Sequence, residues 1–133
     1  MARVTRGASF TIAGVVIVVS FDTEVFDTGE MWAAGDPTRM YATIPGVYAI
    51  SAGADFQPNG TAGTRYILVE HSVSSDIGMR SLITDGGGQA YLNTADTFKM
   101  QAGESMRLLV FQTSGVNQTV LSARLAMSYL GPG

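Results

Sequence analysis

Short apolar runs, many with a period of two, recur along this chain and are separated by frequent turn residues. Val47–Phe56 shows the pattern most cleanly, with Tyr48, Ile50, Ala52, Ala54 and Phe56 on one side. Side chains alternate across a strand, so this spacing predicts a half-buried β-strand. Further strands are expected at Val15–Phe21, Arg39–Ile44, Arg65–His71, Gln89–Asn93, Thr97–Met100, Ser105–Thr113 and Val120–Leu130. Pro45-Gly46, Asn59-Gly60, Gly86-Gly87-Gly88 and Ala102-Gly103-Glu104 supply turns between them. Helix is expected only as a short piece around Met31–Asp36. Many short strands with turn signals between them predict an all-β antiparallel sandwich or barrel over residues 1–133.

The alternation also assigns faces. Tyr48 and Ile50 are expected in the core, with Met106, Leu108 and Val110, and with Leu125, Met127 and Tyr129 from a face that also carries Leu121 and Ala123. Two runs are apolar on both sides: Val15–Val19, and Ser105–Thr113, where Leu109 and Phe111 point away from the core. The outer face of an antiparallel sandwich normally meets water. Such strands therefore need a second cover, either a loop such as Asp22–Pro37 or a partner subunit, and a subunit interface is expected. Small residues at Ala49, Ser51, Ala126 and Ser128 would let neighbouring sheets approach closely.

Composition points the same way. Only 14% of the 133 residues are charged, whereas a typical soluble domain carries about 25%. The net charge of −3 leaves no basic field for a nucleic-acid backbone. Arg3 and Arg6 ahead of Ile12–Val19 imitate a signal peptide, but a strand is expected there, and the run is shorter than the roughly twenty residues a membrane span needs. No membrane association is expected, and the strand signals, running almost from Met1 to Leu130, predict no stalk.

Candidate chemistry is sparse. With no cysteine and one histidine, thiol catalysis, zinc-thiolate sites and two-histidine mechanisms are excluded. His71 is expected as a strand-end or hydrogen-bonded structural histidine. Asp22, Glu24 and Asp27 are the one candidate calcium set, although solvated loop acids have the same spacing. No serine sits in a nucleophile-elbow context, and Gly86-Gly87-Gly88 lacks the Lys and Ser/Thr of a phosphate loop. No catalytic residue and no cofactor are expected.

The segment Phe21-Asp22-Thr23-Glu24-Val25-Phe26-Asp27-Thr28-Gly29, followed by Arg39-Met40-Tyr41-Ala42-Thr43-Ile44-Pro45-Gly46-Val47-Tyr48, resembles the globular head of complement component 1q and the related tumour necrosis factor ligands. Phe98-Lys99-Met100-Gln101-Ala102-Gly103-Glu104-Ser105-Met106-Arg107-Leu108 is similar to that family's L-x-x-G-D-x-V-x-L segment, and Leu125–Leu130 stands at its closing strand. Glu104 replaces the usual Asp, and Ala126 stands where the closing strand normally carries Gly. The resemblance implies a jelly roll of about ten strands that assembles as a homotrimer. Carried over by position, the trimer interface would comprise Val47, Ala49 and Ser51, then Leu109 and Phe111, then Arg124, Ala126, Ser128 and Leu130.

Stand-alone domains of this kind occur in bacteria and tailed bacteriophages. The phrasing Phe21-Asp22-x-Glu24-x-Phe26-Asp27 and Thr38-Arg39-x5-Pro45-Gly46-Val47-Tyr48 resembles that branch. The expected role is a non-enzymatic decoration protein on the outer surface of a phage capsid, bridging major capsid protein subunits at sites of threefold symmetry. The alternative is a ligand-binding head of a tail fibre, baseplate or secreted bacterial protein, recognising a glycan or protein through loops such as Thr28–Thr38.

Overall fold

In a computed structural model the backbone is described for residues 1–133, and side chains for every residue except Asp85. Eleven strands are present among the described residues: β1 (Ala2–Arg6), β2 (Phe10–Ile12), β3 (Ile17–Val18), β4 (Thr23–Asp27), β5 (Met40–Tyr41), β6 (Gly46–Phe56), β7 (Gly63–His71), β8 (Ser75–Asp85), β9 (Ala90–Met100), β10 (Ser105–Gln112) and β11 (Gln118–Gly131). They form two sheets with antiparallel pairing. The first has the order β4-β1-β11-β6-β9, with β2 extending along β11; the second has β3-β10-β7-β8, with β5 against β10. The core lies between the two sheets.

Alternation places the inward side chains as read from the sequence. Tyr48, Ile50, Met106, Leu108, Val110, Leu125 and Met127 are all buried. Removing each such side chain from water contributes about 1.5–3 kcal/mol. Tyr129 departs from this set: it is 38% exposed. Its ring meets Tyr48 edge-on at 5.5 Å, but it stands at the end of the β6–β11 ladder beside a bulge. A second bulge, between Val120 and Ser122, takes Leu121 out of the core face and leaves it 37% exposed.

Other boundaries shift for identifiable reasons. Of the expected strand Val15–Phe21 only Ile17–Val18 pairs, and Val15 and Val16 lie exposed in the loop before it. Arg39–Ile44 contracts to Met40–Tyr41, and Met31–Asp36 forms a turn closed by an Ala33–Asp36 bridge rather than a helix. Gln89–Asn93 and Thr97–Met100 are one strand, β9, because β6 pairs with it through all eleven residues. Strand β8 was not among the expected strands; pairing with β7 holds the segment extended.

Candidate functional site

Strand register divides the nine expected interface residues between opposite surfaces. On the outer face of the first sheet, Ala95, Ser51, Ala126, Arg3 and Phe26 form one row across the strands, and Thr97, Ala49 and Ser128 form the next. The interface candidates Val47, Ala49, Ser51, Arg124, Ala126 and Ser128 therefore share one face, with Leu130 at its end, 59% exposed. Leu109 and Phe111 do not belong to it. Strand β10 lies in the second sheet, so these two side chains emerge on the far side of the sandwich.

The expectation that β10 needs a partner subunit as cover is corrected accordingly. Leu109 is only 8% exposed because its own chain covers it, with Val18 and Leu68 directly opposite on the two flanking strands. Phe111 packs against Tyr66 at 5.0 Å between ring centroids. One flat contact cannot include both outer faces of a sandwich.

The first sheet's outer face is hollowed by two adjoining depressions, of about 500 and about 440 Å³, which share Ser51, Ala95 and Ala126 as floor. The hollow exists because the central rows carry Ala and Ser, whereas Phe26 and Met1 stand up beside them, 40% and 55% exposed. Toward one end the face becomes polar. Arg124 lies across Gly53 to donate to Asn93 Oδ1. A Cβ at Gly53 would sit 2.6 Å from that oxygen, so glycine is what lets the guanidinium cross. Arg124 also pairs with Asp55 at 3.5 Å, and Ser122 donates to the other Asp55 oxygen at 2.8 Å. Asp55 Oδ1 is buried without a hydrogen bond.

The candidate calcium set is not brought together. The Asp22 carboxylate accepts the Gly7 and Ala8 amides at 3.0 and 3.1 Å, which holds its pKa below the usual carboxylate value. Asp27 accepts the Gly29, Met31 and Trp32 amides at 3.2, 2.9 and 2.9 Å. Glu24 lies exposed on β4 between them. Among the described residues no group of three His, Asp or Glu side chains could hold a metal ion. His71 is 3% exposed, with Nε2 at 3.2 Å from Glu104 Oε2 and Nδ1 accepting the Ser74 amide at 3.1 Å, so both ring nitrogens are engaged. Among the described residues no helix is long and apolar enough to cross a membrane.

Sequence reasoning missed a buried polar network at the end of the sandwich away from the chain termini. Arg65 is 2% exposed and donates to Gln118 Oε1 (2.8 Å), Gly88 O (2.5 Å) and Asn59 Oδ1 (3.1 Å). Gln112, fully buried, donates to Ala13 O and Val116 O and accepts from Ser114. These side chains tie the four loops at that end. The signal was available: Arg65 shares the inward parity of Ile67 and Val69.

Comparison with solved structures identifies the architecture. The chain superposes on the globular domain of a zebrafish complement 1qA protein with a TM-score of 0.71 and 10% identity, over 98% of each chain. It matches an Eiger TNF from S. frugiperda (TM-score 0.61, 10% identity, 95% of this chain and 94% of that one). It also matches murine APRIL (TM-score 0.60, 11% identity, 92% and 97%). The fold is thus the jelly roll shared by complement-1q globular domains and tumour necrosis factors. No family model and no curated protein sequence matches the chain.

Proposed function

We propose that this protein is a non-enzymatic homotrimer whose subunits meet through the outer face of the first sheet. The observation that carries the reading is the pair of small-residue rows, Ala95–Ser51–Ala126 and Thr97–Ala49–Ser128, sunk between Phe26 and the polar end at Arg124. A floor of Ala and Ser allows close backbone approach, and apolar burial across it drives association. The fold likeness supports the same assembly. Light scattering should report about three times the chain mass of 14.0 kDa; a monomer at micromolar concentration sinks the reading.

Within that reading the trimer serves as a decoration protein on the outer surface of a phage capsid, holding the major capsid protein by multivalent contact. Three equivalent footprints on one rigid body give avidity without high affinity at any single site. The ligand-binding alternative draws less support from the Thr28–Thr38 loop. That loop is pinned by the Asp27 contacts, by Trp32 Nε1 donating to Pro37 O at 3.1 Å, and by Tyr41 donating to Asp36 at 2.6 Å. Copy number in purified particles separates the two: hundreds of copies support decoration, and a handful indicates a tail device.

A further inference from the structure

The outer face of the second sheet takes no part in the proposed assembly, and its centre is built differently from the Ala and Ser floor on the other side. Register across β10, β7 and β8 sets Phe111, Tyr66 and Leu82 in one row, with Leu109, Leu68 and Arg80 in the next. Phe111 fixes the Tyr66 ring at 5.0 Å between centroids, and Leu82 stands 59% exposed beside it. Tyr66, Leu68, Asp76, Arg80 and Leu82 line a depression of about 310 Å³. Its rim is polar on both sides. Arg80 donates from Nη2 to Asp76 at 3.0 Å, and among the described residues its other N–H groups and the Tyr66 hydroxyl have no hydrogen-bond partner. On the opposite side the Thr64 and Thr84 hydroxyls lie 2.8 Å apart.

We propose that this depression binds a neutral saccharide, with a pyranose ring laid against Tyr66 and its hydroxyls held by Arg80 and Asp76. The site is complete in a single chain, so it stands apart from the self-association reading. Size, charge and chemistry each select the ligand. The volume of about 310 Å³ falls at the lower end of small-ligand sites, about 300–1,000 Å³. Its five lining side chains are far fewer than the roughly 20–30 residues that a protein partner covers on each side. The acids and bases around the aromatic row are matched within the face, Arg80 with Asp76 at 3.0 Å and Arg107 with Glu70 at 2.5 Å. No excess charge is left there to select an anion or a cation. A purely apolar ligand would strip water from Arg80 and Asp76 without replacing its hydrogen bonds. A sugar ring presents a C–H face to an aromatic wall and adjacent hydroxyls around its edge. Those hydroxyls both donate and accept, which suits a guanidinium fork beside a carboxylate.

The intact protein is titrated with the methyl glycosides of glucose, galactose and mannose and with N-acetylglucosamine, and binding is read from NMR chemical shifts. At least one of these sugars should bind with a Kd on the order of millimolar per site, shifting Tyr66, Arg80 and Leu82 before other residues. Tyr66→Ala should weaken that binding at least about tenfold, whereas Tyr66→Phe keeps the stacking surface and should stay within about threefold. Arg80→Ala removes an exposed side chain without threatening the fold and should weaken binding by about three- to tenfold. No shift at these three residues with any of the sugars at about 100 mM, a hundredfold above that Kd, would overturn the proposal. So would unchanged affinity in Arg80→Ala and Tyr66→Ala, which would put the bound sugar elsewhere. Tighter binding of sialyllactose than of lactose would show a site selected by charge and overturn the neutral assignment. Loss of particle attachment in Arg80→Ala, with no sugar bound by wild type, would make the face a protein contact and also overturn it.

Discussion

Arg65→Met keeps the length and much of the volume of a fully enclosed side chain while removing every donor it carries. Arg65 lies at the core parity of β7 with 2% exposure, and its guanidinium satisfies Gln118 Oε1, Gly88 O and Asn59 Oδ1. The Asn59 oxygen keeps the Thr61 amide at 3.1 Å after the change, whereas the fully buried Gln118 loses the one donor to Oε1 found among the described residues. Hydrogen bonds to a charged group contribute about 1.5–3 kcal/mol, and a stranded buried acceptor costs about 1–3 kcal/mol. Together these put the loss at about 2.5–6 kcal/mol. With a urea slope of about 1–3 kcal/mol/M, the unfolding midpoint should fall by about 2 M. The comparison is Arg80→Ala, whose pair with Asp76 is 55% and 44% exposed and should contribute about 0–1 kcal/mol. Both variants are unfolded in urea at one fixed protein concentration, since self-association makes apparent stability depend on it. If Arg65→Met falls no further than Arg80→Ala, the polar end of the sandwich is not a structural clamp.

Three other outcomes follow from the same geometry. Phe111→Asp should leave the assembly intact and cost only stability, about 0.5–1.5 kcal/mol of it from the Tyr66 ring contact, whereas Ala126→Asp should yield monomers; the reverse result by light scattering would show the two faces wrongly assigned. Asp22 has a folded-state pKa below its unfolded value, so its stabilising effect is complete above about pH 4 and disappears as pH falls through the lowered pKa. The gap in melting temperature between wild type and Asp22→Asn should therefore be present at neutral pH and close in acid, and a gap independent of pH would refute the Gly7 and Ala8 amide contacts. Gly87 has φ of +91°, and a Cβ there would meet the Gly60 carbonyl carbon at 2.7 Å. Gly87→Ala should cost about 1–3 kcal/mol and lower the melting temperature, whereas an unchanged melt would show that the two loops do not meet.

Alternation along β6, β10 and β11 was enough to sort inward from outward residues, because the strand period is two whatever the sheet. Tyr48 and Ile50 in β6, and Leu108 and Val110 in β10, followed directly from it. The bulges at Val120–Ser122 and Tyr129–Gly131 defeated it locally, as an inserted residue breaks the period without a strong composition signal. Strands β4 and β8 were also out of reach, since their polar sequences are held extended by β1 and β7 rather than by their own preference.

What the chain alone determined is therefore its class and the two sides of each strand: short β-prone runs separated by turns, with too few charges for an ordinary surface. Only the tertiary structure decided which outward side belongs to which surface. Parity distinguishes core from non-core, but a sandwich has two non-core faces pointing in opposite directions. Strand pairing alone placed Leu109 and Phe111 on one and Ala49, Ser51 and Ala126 on the other.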